Sequence, residues 1–445
     1  MASSISTLFN WDCKGYTIAV HVMKTPHTTM STCKAVVLAV ILALCTGISR
    51  CQCPLTCHCD GTVVRCNGQQ LFTIPLSLPD ATTTLDLHNN YIASIPLDAF
   101  QGRTNLEELY LSHNLISSLP LDAFQGLSNL QKLDLLGNQL RNISRATFRG
   151  LAKLRILSLL SNQLESIDDG AFEGMPDLYE LYLYDNRLRN ISRATFRGLA
   201  KLRELSLANN RIASLHADAF HGLSNLQALS LYNNSIASLP LDSFQGLPNL
   251  QTLYLSHNLI SSLPLDAFQG LSNLQKLYLQ GNRLRNISRA TFRGLAKLRF
   301  LYLSSNQLES IDDGAFAGMP DLYELYLWGN RLRNIFWATF RGLAKLRELF
   351  LSSNQLQSID VGAFEGMPDL YELYLFDNLI SSLPADAFQG LLKLQKLGLA
   401  NNRIASLHAD AFNGLSSLQA LDLEYNRLGN IPRAALRGLT QLKEL

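Results

Sequence analysis

Beyond Cys66 this 445-residue chain contains no cysteine. Most of its length must therefore be held by burial and backbone hydrogen bonding, without disulfides or cysteine-ligated zinc. An excess of charge is also lacking: 38 Lys and Arg face 36 Asp and Glu, a formal net charge of +2. That balance gives no reason to expect nucleic acid or an anionic membrane surface as partner. No glycine-rich phosphate loop, no metal-ligand cluster and no nucleophile–histidine–acid set can be picked out. No catalytic residue, cofactor or metal is therefore assigned, and the chain is read as a binder with no chemistry of its own. His216 and His408 recur in the same motif, RIASLHADAF, without ligand-type neighbours, and read as surface loop residues.

What is present begins with one strongly apolar run, AVVLAVILALC at residues 35–45, preceded by Lys34. It has the length of a signal-peptide core. The uncharged stretch Ala35 to Ser49 falls short of the roughly 20 residues that a membrane span needs. We expect a signal peptide at residues 30–51, with translation from Met30 and residues 1–29 a non-native leader; a signal-anchor is the rival. Entry into the secretory path makes Cys53, Cys57, Cys59 and Cys66, spaced C-x3-C-x-C-x6-C, disulfide partners rather than zinc ligands. Their spacing alone does not choose the pairing.

Asparagine recurs every 24 residues from Asn90 to Asn426, fifteen times without a gap. Each sits in L-x-x-L-x-L-x-x-N-x-L, as in LEELYLSHNLI from Leu106 to Ile116; the first repeat has Thr82 in place of the leading leucine. Phenylalanine follows ten residues after each asparagine from Phe100 to Phe412, with Leu436 in the last repeat, and glycine two residues further on. The L-x-L stretch predicts a short strand with its leucines inward. Each fully buried leucine contributes roughly 1.5–3 kcal/mol. The asparagine amide is expected to bond backbone groups of its own and adjacent coils, and to leave it buried and unpaired would cost about 1–3 kcal/mol. One such coil cannot bury its own core, so coils must stack.

This is the leucine-rich-repeat pattern, and it implies an α/β repeat solenoid. A parallel sheet lines the concave face of a horseshoe, with turns or short helices on the convex face. Fifteen repeats occupy residues 82–441. Residues 442–445 open a sixteenth, which suggests a chain cut short of a C-terminal cap and anchor. Membrane attachment is expected only through such a missing anchor, and self-association through the bare last coil is a further expectation. CPLTCHCDGTVVRC, from Cys53 to Cys66, resembles the N-terminal cysteine cap of extracellular leucine-rich-repeat proteins, giving a cap at 53–81. That resemblance implies pairing of Cys53 with Cys59 and Cys57 with Cys66. Residues 53–445 as a whole resemble Slit, Toll-type receptor ectodomains, small leucine-rich proteoglycans and, most of all, the variable lymphocyte receptors. The last resemblance implies antigen recognition on the concave face.

Residues 115–203 recur almost verbatim at 259–347, with 11 differences in 89 positions. Seven of the eleven fall at strand positions expected to face solvent, although these are only 12 of the 89. They pair Asp134 with Tyr278, Leu136 with Gln280, Ile156 with Phe300, Ser158 with Tyr302, Leu160 with Ser304, Tyr184 with Trp328 and Asp185 with Gly329. The scaffold was copied and the inner face rewritten, toward aromatics. We expect a ligand-binding patch made of Tyr254, Tyr278, Tyr302, Tyr326, Phe350 and Tyr374, with Phe300, Trp328 and Phe376 beside them and Glu324, Glu348 and Glu372 along one flank. Rigid aromatics with a polar tip suit contact with a protein or glycan ligand; the competing reading is a stacking ladder that only stiffens the sheet. Sequons at Asn142, Asn190, Asn233 and Asn286 predict glycosylation. Asn334 is followed by Phe336 and Trp337 where the other copies have serine and arginine, so it is no sequon. The function expected is extracellular recognition of the immune type, with a matrix or guidance protein as the alternative.

Overall fold

The computed structural model describes residues 7–13, 16–22 and 53–445. Thr7–Cys13 and Tyr16–Val22 pair as an antiparallel ribbon, Thr7 opposite Val22. The expected signal peptide at 30–51 lies outside the described residues.

From the cap onward the chain winds as a solenoid. Each coil supplies one three-residue strand, such as Glu108–Tyr110 and Lys132–Asp134. Neighbouring strands are parallel and in register with a shift of one coil, Leu109 opposite Leu133 and Leu397 opposite Leu421. The central leucine of each strand is buried and its two neighbours face the other way, as an alternating strand requires. Inside the cap, His58–Asp60 and Val63–Arg65 pair antiparallel, and Val63–Arg65 then pairs parallel with Thr84–Asp86. Pairing continues coil by coil to Ala420–Asp422. Among the described residues no pairing joins that last strand back to the first, so the sheet is an open arc and not a barrel. Disulfides Cys53–Cys59 and Cys57–Cys66 close the cap.

Two ladders hold the coils together. In the first, the Asn138 Nδ2 donates to the carbonyls of Leu111 and Leu135 at 3.0 and 3.1 Å, and its Oδ1 accepts from the Ile116 N–H at 3.1 Å. The same three bonds recur from coil to coil, and Asn90 ties the first coil to the cap through the Cys66 carbonyl at 2.9 Å. The second ladder is the phenylalanine spine, whose neighbouring rings lie near-parallel with centroids 5.9 to 6.5 Å apart. These rings are fully buried.

Of the turns or short helices expected on the convex face, the described residues show the turns, and the α/β class is not borne out. The described residues contain strands and turns but no helix. The convex segment is a run of separate turns: the N–H groups of Ala123, Gln125, Leu127 and Leu130 donate to the carbonyls of Pro120, Asp122, Phe124 and Leu127. Positive φ at Asp122 (55°) and Gly126 (97°) interrupts the run before a helix can propagate. At Gly126 a Cβ would also crowd the Phe100 carbonyl oxygen at 3.1 Å, whereas at the equivalent Gly150 and Gly174 it would meet nothing within 4 Å, so the positive φ is what favours glycine in this column. The last coil differs from the rest. Leu423, Leu428, Leu436 and Leu442 are only partly buried, and Leu445 is exposed.

Candidate functional site

The concave face is built from the outward residues of those strands. Tyr254, Tyr278, Tyr302, Tyr326, Phe350 and Tyr374 are the third residues of six successive strands and pair in register. Strands about 4.8 Å apart bring such residues to ring-stacking distance. Their centroids lie 4.5, 4.6, 4.5, 4.3 and 5.0 Å apart and their planes within 19°. The ladder is thus a geometric fact, and it directs ring faces at one another. Beyond Tyr374 the column reaches Gly398. A Cβ there would lie 3.0 Å from the Phe376 ring, so glycine lets Phe376 turn edge-on to Tyr374 at 5.6 Å.

The other expected residues gather round this stack. Glu324, Glu348 and Glu372 lie opposite one another on adjacent strands. The Tyr326 hydroxyl donates to Glu324 at 3.0 Å and the Tyr374 hydroxyl to Glu372 at 2.8 Å. Lys396 closes the row with an ion pair to Glu372 at 2.8 Å. Burial, followed by the charges of Glu324 and Glu372, pushes the Glu348 carboxyl above the usual carboxylate range. Burial, reinforced by the glutamates, raises the Tyr302, Tyr326 and Tyr374 hydroxyls far above the ordinary tyrosine value. They remain donors at every physiological pH. Phe300 is bracketed by Lys276 Nζ and Arg299 Cζ, 5.4 and 5.8 Å from its ring centroid. Trp328 stands outside the stack with 43% of its surface exposed.

The twelve expected residues therefore occupy six neighbouring coils. Not every column expected to face solvent does so. Ser256, Ser304 and Ser352 are buried, so that column projects only where a large residue such as Trp328 stands. Two features escaped sequence reasoning. One is a flanking row in which Arg299 and Arg347 pack over Tyr323, 5.9 and 5.5 Å from its centroid. The other is a hollow beside Tyr254. Its signal was the pair of serines, Ser206 and Ser230, that interrupts the tyrosine column.

Asn142, Asn190 and Asn286 lie on two-residue outer strands, exposed and off the concave sheet. Asn233 lies nearer the concave face, its Nδ2 donating to Asn209 Oδ1 at 2.9 Å. Phe336 and Trp337 are exposed on the outside of their coil. His216 and His408 are exposed, each Nδ1 accepting the N–H two residues on at 3.2 Å. Among the described residues no group of three or more His, Cys, Asp or Glu is placed to hold a metal ion. Among them, too, no helix is long and apolar enough to cross a membrane.

A stack of asparagine-laddered coils with a cysteine cap and a decorated concave sheet defines a repeat-built binding scaffold of the extracellular type. The chain belongs to the leucine-rich repeat family, whose pattern matches residues 81–140, 121–164, 152–212, 200–260, 248–308, 301–356, 344–404 and 392–445. Among curated proteins it is similar to leucine-rich repeat-containing protein 3 of Danio rerio, 36% identical over 84 residues, 18% of this chain and 32% of that protein. It is also similar to biglycan of Xenopus laevis, 48% identical over 59 residues, 13% of this chain and 16% of that one. The matches thus span a third or less of these relatives. Among solved structures, a leucine-rich repeat protein of Leptospira interrogans is 25% identical, with a TM-score of 0.62 over 91% of this chain and 98% of that one. A chain of the octameric complex of Latrophilin 3, Unc5D and FLRT2 is 25% identical, with a TM-score of 0.52 over 78% of this chain and 93% of that one.

Proposed function

We propose that this chain is an extracellular recognition ectodomain, of the immune or pattern-recognition type, that binds a protein ligand on the aromatic concave face and catalyses nothing. The observation that carries this reading is the duplicated cassette: between residues 115–203 and 259–347 the scaffold repeats while the strand face changes. Exposure alone does not account for this, because the solvent-exposed outer segments of the two copies carry only four of the eleven differences. Change concentrated on one face answers a demand for new contacts. Trp328, Tyr302, Phe350 and the Glu324–Glu348–Glu372 row supply the anchors and the polar flank of a hot spot. A matrix or guidance role is the second reading. The similarity to biglycan, and to a chain from a complex that contains FLRT2, favours it.

The test is a triple change, Tyr302→Ser, Trp328→Ser and Phe350→Ser, screened beside the parent chain against a displayed library of extracellular proteins. Loss of a parental ligand by 100-fold or more, about 2.7 kcal/mol, with circular dichroism unchanged, is the expected result. Lower thermal stability with undiminished ligand binding would leave the stack a stiffening ladder and remove the proposal.

A further inference from the structure

The tyrosine column is interrupted on its N-terminal side. Below Tyr254 the next two strands carry Ser230 and Ser206 in register, and a ring returns only at Tyr182. Three strand steps of about 4.8 Å put the two tyrosines roughly 14 Å apart. Tyr254 therefore has Tyr278 stacked on one face at 4.5 Å and serines in place of a ring on the other. The interruption opens a hollow of about 420 Å³, with Ser206, Ala208 and Ser230 as its floor and Tyr184, Tyr232 and Tyr254 among its walls. Those walls are held from outside. Asn209 Nδ2 donates to the Tyr184 hydroxyl at 2.8 Å, and His257 meets the Tyr232 ring edge-on at 5.3 Å. Gln280 also lines the hollow, and its Oε1 is buried without a hydrogen-bond partner. No charged side chain lines it.

We propose that this hollow binds an uncharged saccharide unit, stacked on the open face of Tyr254 as the next ring of the column. A pyranose presents a flat C–H face to an aromatic ring and a rim of hydroxyls that both donate and accept. The Ser206 and Ser230 hydroxyls match that rim, because each offers both roles, and the Gln280 carboxamide, whose Oε1 is covered and unpaired, joins them by turning toward the sugar. A charged sugar would find no counter-charge here. An apolar peptide side chain would cover Ser206, Ser230 and Gln280 without giving them partners. Gln280 replaces Leu136 of the first cassette, so the uncommitted amide is one of the face-rewriting changes. The site shares Tyr254 and Tyr278 with the protein-binding patch, and its failure and the failure of that patch are read by different variants.

The test uses the full chain, titrated with maltotriose, chitotriose and N-acetyllactosamine and followed by saturation-transfer NMR and calorimetry. Ser230→Tyr fills the hollow with an aromatic, which the column accepts on six neighbouring strands. Gln280→Leu restores the residue of the first cassette and leaves the hollow open. At least one saccharide is expected to bind the parent, to lose all binding with Ser230→Tyr, and to bind about tenfold more weakly with Gln280→Leu. Binding that survives Ser230→Tyr would place the sugar elsewhere and overturn the proposal. So would a hollow that takes none of the three saccharides, including one that takes only a tyrosine-rich peptide.

Discussion

Replacing Asn282 by alanine separates the cohesion due to the asparagine ladder from that due to the leucines. The side chain is 5% exposed. Its Nδ2 donates to the carbonyls of Leu255 and Leu279, both at 2.9 Å, and its Oδ1 accepts from the Ile260 N–H at 3.1 Å. These three losses are unequal. The Leu255 carbonyl keeps Asn258 Nδ2 at 3.0 Å, and the Leu279 carbonyl keeps Asn306 Nδ2 at 3.0 Å. The Ile260 N–H keeps nothing. An orphaned buried donor costs about 1–3 kcal/mol, and each lost bond whose acceptor stays paired costs about 0.5–1.5 kcal/mol. The substitution should therefore destabilise by about 2–6 kcal/mol on those magnitudes. Because each coil contacts only its neighbours, the damage should be local before it is global. Amide hydrogen exchange reads it directly: Ile260 should exchange fast while amides several coils away keep their protection, and the urea midpoint should fall. A protected Ile260 amide with a loss under about 1 kcal/mol would refute the assignment of cohesion to the ladder.

The raised Glu348 carboxyl makes the fold favour the protonated acid relative to the unfolded chain. The sign follows from linkage: stability should rise as pH falls through the raised folded value toward the ordinary carboxyl value of 4.5. Glu348→Gln should accordingly be more stable than the parent at pH 7 and should flatten that rise; urea midpoints at several pH values between 7.5 and 5 check it, and a variant no more stable at neutral pH refutes it. Phe336→Ser completes an N-x-S sequon beginning at Asn334, on an exposed outer segment. In a secretory host the variant should carry one glycan more than the parent, seen as a glycosidase-sensitive mass increment. An unchanged mass would show that this segment is closed to the glycosylating enzyme.

Much of this structure was legible beforehand. The 24-residue period located each concave strand, the ladder asparagine of each coil and the buried phenylalanine. The cap cysteines carried their pairing through resemblance alone. The convex face was legible only in part, because the room that a segment such as LPLDAFQGL needs leaves turns and short helices both open. Positive φ at Asp122 and Gly126 decides for the turns. The concave face was read correctly as a column of aromatics, yet a column in sequence does not say which ring faces are used. Ser256, Ser304 and Ser352 occupy solvent-side positions by periodicity and are nonetheless buried.

The sequence by itself therefore determined the coil: its length, its inward leucines, its asparagine and its phenylalanine, each a demand that one repeat makes on itself and its neighbour. Only the tertiary structure decided what the stacked coils make together. The carboxyl of Glu348 is raised by burial in the stacked sheet and then by the charges one coil away on either side, at 324 and 372. The open face of Tyr254 exists because residues 206 and 230 are serine in the same column. Both depend on registered stacking, which brings residues 24 and 48 positions apart to within one or two strand spacings, about 5–10 Å.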